Sequence, residues 1–240
     1  NTAEIYQNIF INDNIDPTAN PLPDLGPFAC YANITPANIL NVTGESDNCG
    51  GSVIVTYVGD SPNPGCSGTV IRTYKLHDAC GNDAEIYQNI FINDNIDPKA
   101  NMLPNLGPFA CYADITPANI LDVTGESDNC SGTVTVTFLG DSPDPGCAGT
   151  VIRTYRLEDQ CGNNTDIFQN IYINNNVDPT ANPLPDLGPF GCYSDITPAN
   201  ILDVTGESDN CGGAVTVTYV GDGPNPGCSG TVIRTYLLED

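Results

Sequence analysis

The chain has 240 residues, a formal net charge of −24 and only six Lys plus Arg, a balance that excludes nucleic acid as a partner because an anionic surface repels phosphate. Eleven cysteines and twenty prolines point away from long helices and towards a stapled protein of an oxidising compartment. No apolar run reaches the length of a membrane span, so no membrane insertion is expected of this segment.

In chain order, the first feature is "FINDNIDP" at 10–17, a strand end that runs into acid and amide side chains and stops at proline. It returns at 91–98, and as "YINNNVDP" at 172–179. The 81-residue spacing holds throughout: "ITPANIL" begins at 34, 115 and 196, "TGESDNC" at 43, 124 and 205, and "GTVIRTY" at 68, 149 and 230. This is a tandem array of one unit. Asn1 matches Asn82 and Asp240 matches Asp159, so the chain reads as a piece of a longer array. The expected division is 1–16 as the last strand and linker of a preceding repeat, 17–97 and 98–178 as repeats, and 179–240 as an incomplete repeat.

Within a repeat, an irregular first strand is expected through "PLPDLGPFACY" and a second through "ILNVT". Then comes "SVIVTYV" at 52–58, where one alternate set is apolar and its counterparts at 133–139 and 214–220 turn the other set to Thr, as in a half-buried strand. "GTVIRTYKL" at 68–76 and "AEIYQNIFI" at 84–92 complete a hairpin succession, separated by Gly and Pro clusters. The fold class is all-β: tandem immunoglobulin-like β-sandwich repeats with two disulfides each.

Four cysteines recur per repeat, at 30, 49, 66 and 80 in the first. No pair has C-x-x-C spacing and His77 occurs in one repeat only, which argues against zinc. Cys66 and Cys80 bracket one extended strand whose ends lie about 30 Å apart, beyond disulfide reach, and Cys49 and Cys66 bracket the strand before it. With all four bonded inside a repeat, the expected pairs are Cys30–Cys66 and Cys49–Cys80, then Cys111–Cys147, Cys130–Cys161 and Cys192–Cys228.

The segments "SDNC", "GTVIRTYKLHDACGN" and "IYQNIFINDNIDP" resemble the four-cysteine subtype of hyalin-repeat-like (HYR-like) domains, arrayed in very large secreted adhesins of gliding and surface-colonising bacteria. The resemblance covers the whole chain and implies an immunoglobulin-like sandwich in an extracellular, cell-surface stalk or filament. The segment "NPLPDLGPFACY" carries none of the motifs on which the resemblance rests, which leaves the first strand the least defined part.

In an alternating sandwich, "GESDNCG" and "HDACGN" lie at the end where the preceding "NDNIDP" arrives. Three junction clusters are therefore expected: Asp13 and Asp16 with Glu45, Asp47 and Asp78; Asp94 and Asp97 with Glu126, Asp128 and Asp159; and Asp178 with Glu207, Asp209 and Asp240. All-oxygen shells of this kind suit Ca²⁺, the one cofactor the sequence suggests. "NDN…P" also resembles the calcium-binding linker of cadherins, although Phe10 stands at the leading acid position and Asn175 replaces an acid in the third copy. The alternative is that these side chains only form turns and blunt strand edges. Arg72, Arg153 and Arg234 share a strand face with Val and Tyr and are expected to pair with a carboxylate or backbone carbonyls.

Nothing pairs a nucleophile with a base, so no enzyme is expected. The reading is a load-bearing shaft of a secreted surface adhesin or extracellular filament, with neighbouring repeats as its first partners and other filament copies or surface polysaccharide as further ones. The alternatives are a carbohydrate-binding module repeated for avidity and a subunit of a multi-chain fibre.

Overall fold

The computed structural model describes residues 1–240, all of them in strands, short 3-10 turns and connections. Two compact units form: Asn1–Ala100 with Gly125–Thr135 and Leu157–Thr165, and Asn101–Thr124 with Val136–Arg156 and Asp166–Asp240. The first unit thus contains two turns of the following repeat.

In the first unit, β1 (Leu25–Phe28), β2 (Ile54–Asp60), β3 (Ser67–His77) and β4 (Asp83–Asn93) form one sheet in the order β1-β4-β3-β2. The β2–β3 and β3–β4 pairs are antiparallel, whereas β1 runs parallel to β4, with Leu25 opposite Ile90 and Phe28 opposite Ile92. Alternation decides the faces: Val70, Arg72, Tyr74 and Leu76 of β3 and Gln88, Ile90 and Ile92 of β4 are buried. Two clusters grow on that face. Val42, Tyr74 and Leu76 pack with Leu22, Ala37 and Val55, and Val70, Ile90 and Ile92 pack with Leu25, Phe28, Tyr31 and Ile34.

The covering layer is irregular. "ILNVT" is a 3-10 turn at Ile39–Asn41, capped by the Asn38 side chain on the Leu40 N–H, and not the expected strand. The Asn38 carbonyl also accepts a 3.5 Å hydrogen bond from the buried Tyr74 hydroxyl, so this segment is pinned by side chains rather than by a ladder. Gln88 does the same for the stretch before β1, donating to the Pro23 carbonyl at 2.8 Å.

The second unit carries the bulk of a sheet with the same order, from β5 (Leu106–Phe109), β6 (Thr135–Asp141), β7 (Ala148–Glu158) and β8 (Asn164–Asn174), around Val151, Ile171 and Ile173. It also holds the antiparallel pair β9 (Thr216–Asp222) and β10 (Arg234–Glu239).

Candidate functional site

Strand direction sorts the polar residues into two ends of each sheet. Ser67 pairs with Asn93 and the Asp94 N–H donates to the Cys66 carbonyl at 2.8 Å, so Cys66 and Asp94 share the end where the chain leaves the sheet. Parallel β1 delivers Cys30 to that same exit end. His77 pairs with Ile54 and Asp83 at the opposite end, which places Asp47, Cys49, Asp78 and Cys80 where the chain arrives, about 33 Å away for an eleven-residue strand.

The exit end of one repeat meets the arrival turns of the next inside the first compact unit. Cys30 is bonded to Cys130 and Cys66 to Cys161, with Cα–Cα distances of 5.4 and 5.3 Å and sequence separations of 100 and 95. In the second unit Cys111 is bonded to Cys211, again 100 residues apart. The expected pairs Cys30–Cys66, Cys49–Cys80, Cys111–Cys147, Cys130–Cys161 and Cys192–Cys228 are therefore corrected. Each bridge joins an exit-end cysteine to an arrival-end cysteine of the next repeat, and confining the pairs to one repeat ignored that option. Cys49, Cys80, Cys147, Cys192 and Cys228 are free thiols, and the two offsets lead from each of them to a position outside 1–240. Asp13, by hydrogen bonding and then by its charge, pushes the Cys49 and Cys80 thiols up, and Asp240 acts likewise on Cys147.

Acids crowd the same places. Carboxylate oxygens of Asp94 and Asp128 lie within 4.8 Å of one another and of the Cys130 sulfur, and those of Asp94 and Asp159 do so beside Cys161. Asp13 and Asp47 form the corresponding pair beside Cys49. The remaining expected members separate from these groups: Asp16, Asp97 and Asp178, and Glu45, Glu126 and Glu207, are exposed. Asp78 turns into its own loop, where Oδ1 accepts the Cys80, Gly81 and Asn82 N–H groups and Oδ2 accepts the Asn82 amide. Burial pushes its carboxyl up, but those bonds outweigh it and hold the group below the usual carboxylate range. At the third junction Asn175 stands in the place of Asp94, and its amide donates to Asp209 at 3.2 Å and to Asp240 at 3.3 Å.

The arginines are structural. Arg72 is 3% exposed and makes two 2.8 Å bonds to Asp60, with Tyr57 beneath the guanidinium. A one-residue bulge between Tyr57 and Gly59 puts Asp60, rather than Gly59, opposite Arg72. Arg153 and Arg234 repeat the arrangement with Asp141 and Asp222, and add bonds to the Thr116 and Thr197 carbonyls.

A family model described as the HYR-like domain with 4 cysteines matches residues 18–92 and 108–173, more than half of the chain. The chain belongs to this family. HYR-like repeats are non-catalytic structural or adhesion modules, and disulfide-rich HYR-like domains are typical of extracellular proteins. No helix is long and apolar enough to cross a membrane. No curated protein matches the chain.

The acids lie at the expected ends of the sheets and the arginines pair with carboxylates as expected, but the cysteines bond to partners that the sequence reading missed. The signal was present: "SDNC" at 127–130 and "DQCGN" at 159–163 carry Cys130 and Cys161 on the very turns assigned to the junction.

Proposed function

We propose that this HYR-like array is a stretch of the load-bearing shaft of a secreted bacterial adhesin or filament, working at the cell surface in attachment or gliding. The observation that carries the reading is the pairing of cysteines across successive repeats. A covalent path from Cys30 to Cys211 crosses two bridges and only the 19 residues of chain from Cys111 to Cys130, although 181 residues separate its ends. Taut, that stretch spans roughly 65 Å, against roughly 600 Å for the reduced chain. Bridges of this kind pass tension from repeat to repeat even when the domains between them lose their packing.

Single-molecule pulling of the whole chain by its ends tests this. Under oxidising conditions only 1–30, 111–130 and 211–240 bear the force, so the unfolded contour length should be about a third of that in reductant. Equal lengths in the two conditions would remove the load-path argument.

One observation favours a second reading, a repeated carbohydrate-binding module. On the uncovered sheet face Tyr87 and Phe91 of the first repeat are 57% and 39% exposed, and Phe168 and Tyr172 of the second are 59% and 40% exposed. Exposed aromatics at the same place in each unit offer faces on which sugar rings could lie. A glycan array probed with the wild-type chain and with Tyr87→Ala/Phe168→Ala separates the readings: no glycan signal leaves the shaft alone.

A further inference from the structure

Asp94 is 92% buried at the exit end of β4, and only one of its oxygens has donors: Oδ1 takes the Asn129 amide at 3.3 Å and the Ile96 N–H at 3.4 Å. Oδ2 is shut off from solvent and meets no donor at all. Facing it, Asp128 gives Oδ2 to the Cys130 N–H at 2.9 Å while its Oδ1 is likewise buried and unpartnered. The third carboxylate, Asp159, is fixed through the Cys161 and Asn163 N–H groups and the Asn163 amide. The three line a cavity of about 30 Å³, room for one ion or water. Buried anionic oxygens without donors are costly, so the arrangement calls for positive charge.

We propose that Asp94, Asp128 and Asp159 hold a single Ca²⁺ ion at the junction between the first two full repeats. The donor set selects the metal class. There is no histidine, and the two cysteines in reach, Cys130 and Cys161, are tied in disulfides and offer no thiolate, so soft metals find nothing there. Three carboxylates from separate segments, with water in the remaining positions, suit the flexible shell of Ca²⁺ better than the strict octahedron of Mg²⁺.

The chain carries its own comparison. At the third junction Asn175 occupies the Asp94 position, and its Nδ2 bonds both Oδ1 and Oδ2 of Asp209 as well as Asp240. The amide supplies the donors that Asp94 and Asp128 lack, which makes this junction ion-free. At the first junction Asp13 Oδ2 and Asp47 Oδ1 again lack donors, and Asp78, held in its turn by bonds like those of Asp159, does not join them as Asp159 joins Asp94, leaving a two-carboxylate version. The site stands on this geometry whether or not the array bears load, and its test reads binding rather than extension.

Calorimetric titration of the oxidised, chelator-stripped chain with CaCl₂ is the experiment, with MgCl₂ as the competing metal. Wild type should bind with a Kd of about 10⁻⁴ to 10⁻³ M, the range of extracellular oxygen-ligand sites. At ten times Kd the Tm should rise by about 3 °C or more. Asp94→Asn, which copies the third junction, should lose one equivalent of Ca²⁺ and unfold without calcium no earlier than wild type. Asn175→Asp should gain one equivalent. Either no calcium heat and no Tm shift in wild type, or unchanged stoichiometry in both variants, overturns the proposal. If Asp94→Asn fails to fold, the gain in Asn175→Asp decides alone.

Discussion

At the scale of single residues, the Arg72–Asp60 pair shows how a buried charge is tolerated. The guanidinium satisfies both carboxylate oxygens and lies over Tyr57, so neither ion is left alone beneath the covering layer. Arg72→Met should therefore cost about 3–5 kcal/mol, because it strands the Asp60 carboxylate, whereas Arg72→Met/Asp60→Leu should recover most of that in urea unfolding. A double variant as unstable as the single one would show that the pair itself, not the stranded charge, matters. The same contacts set the acid response. Arg72 holds the Asp60 carboxyl, and Arg234 the Asp222 carboxyl, below the ordinary Asp value of 3.8, and the turn amides do so for Asp78 against the upward push of burial. A carboxyl lowered in the folded state contributes stability that is fully present above the unfolded value and disappears as pH falls through the folded one. Tm should be flat from pH 7 to about 5 and fall below about pH 4, and the Arg72→Met/Asp60→Leu variant should lose less over that acid range. A fall beginning near neutrality would contradict this assignment.

At the scale of elements, β3 and β4 were legible from alternation alone, because a half-buried strand must repeat every second residue and "TVIRTYKL" does so. The covering layer was not. "ILNVT" has strand composition, yet Asn38 caps a 3-10 turn there, and side-chain capping outcompetes propensity over five residues. The stretch before Cys30 resisted reading for a similar reason: β1 is four residues long, contains proline and pairs in parallel, none of which leaves a periodic trace. Its geometry rests on Gly26, at φ +95° after the Asp24–Leu25 approach, where an added Cβ would sit 2.5 Å from the Phe91 carbonyl oxygen. Gly26→Ala should therefore break the β1–β4 pairing and cost more than the roughly 1–3 kcal/mol of the strained dihedral by itself. Hydrogen exchange would read it as lost protection at the β1 edge with β3 unaffected; intact protection at Leu25–Phe28 would show that β1 tolerates the methyl. The candidate site was half legible for the same physical reason. Strand direction fixes which end a turn occupies, and so brought Asp94, Asp128 and Asp159 to one place, but it is blind to which side chains of a turn face solvent, and so kept the exposed Asp97 and Glu126 in the cluster.

At the scale of the whole molecule, the bridges make successive repeats chemically interdependent. Cys30–Cys130 and Cys66–Cys161 close overlapping loops, so no cut in the pairing can be drawn around one repeat. Loops of about 100 residues restrict the unfolded chain more than short ones, on the order of 4–5 kcal/mol each in the chain-entropy model. Replacing one bridge, Cys66→Ser/Cys161→Ser, should accordingly lower Tm by roughly 10 °C for a chain of this size. Stability alone does not reveal which cysteines were partners, but thiol counting does. The oxidised wild type has five free thiols. Removing true partners, Cys66 and Cys161, adds none, whereas Cys30→Ser/Cys66→Ser should add two maleimide-reactive thiols, at Cys130 and Cys161. Pairing inside one repeat demands the reverse: no added thiol in the second variant and two, at Cys30 and Cys130, in the first. The covalent load path across repeats stands or falls on that exchange, because a chain stapled only within repeats would leave every junction to non-covalent contacts.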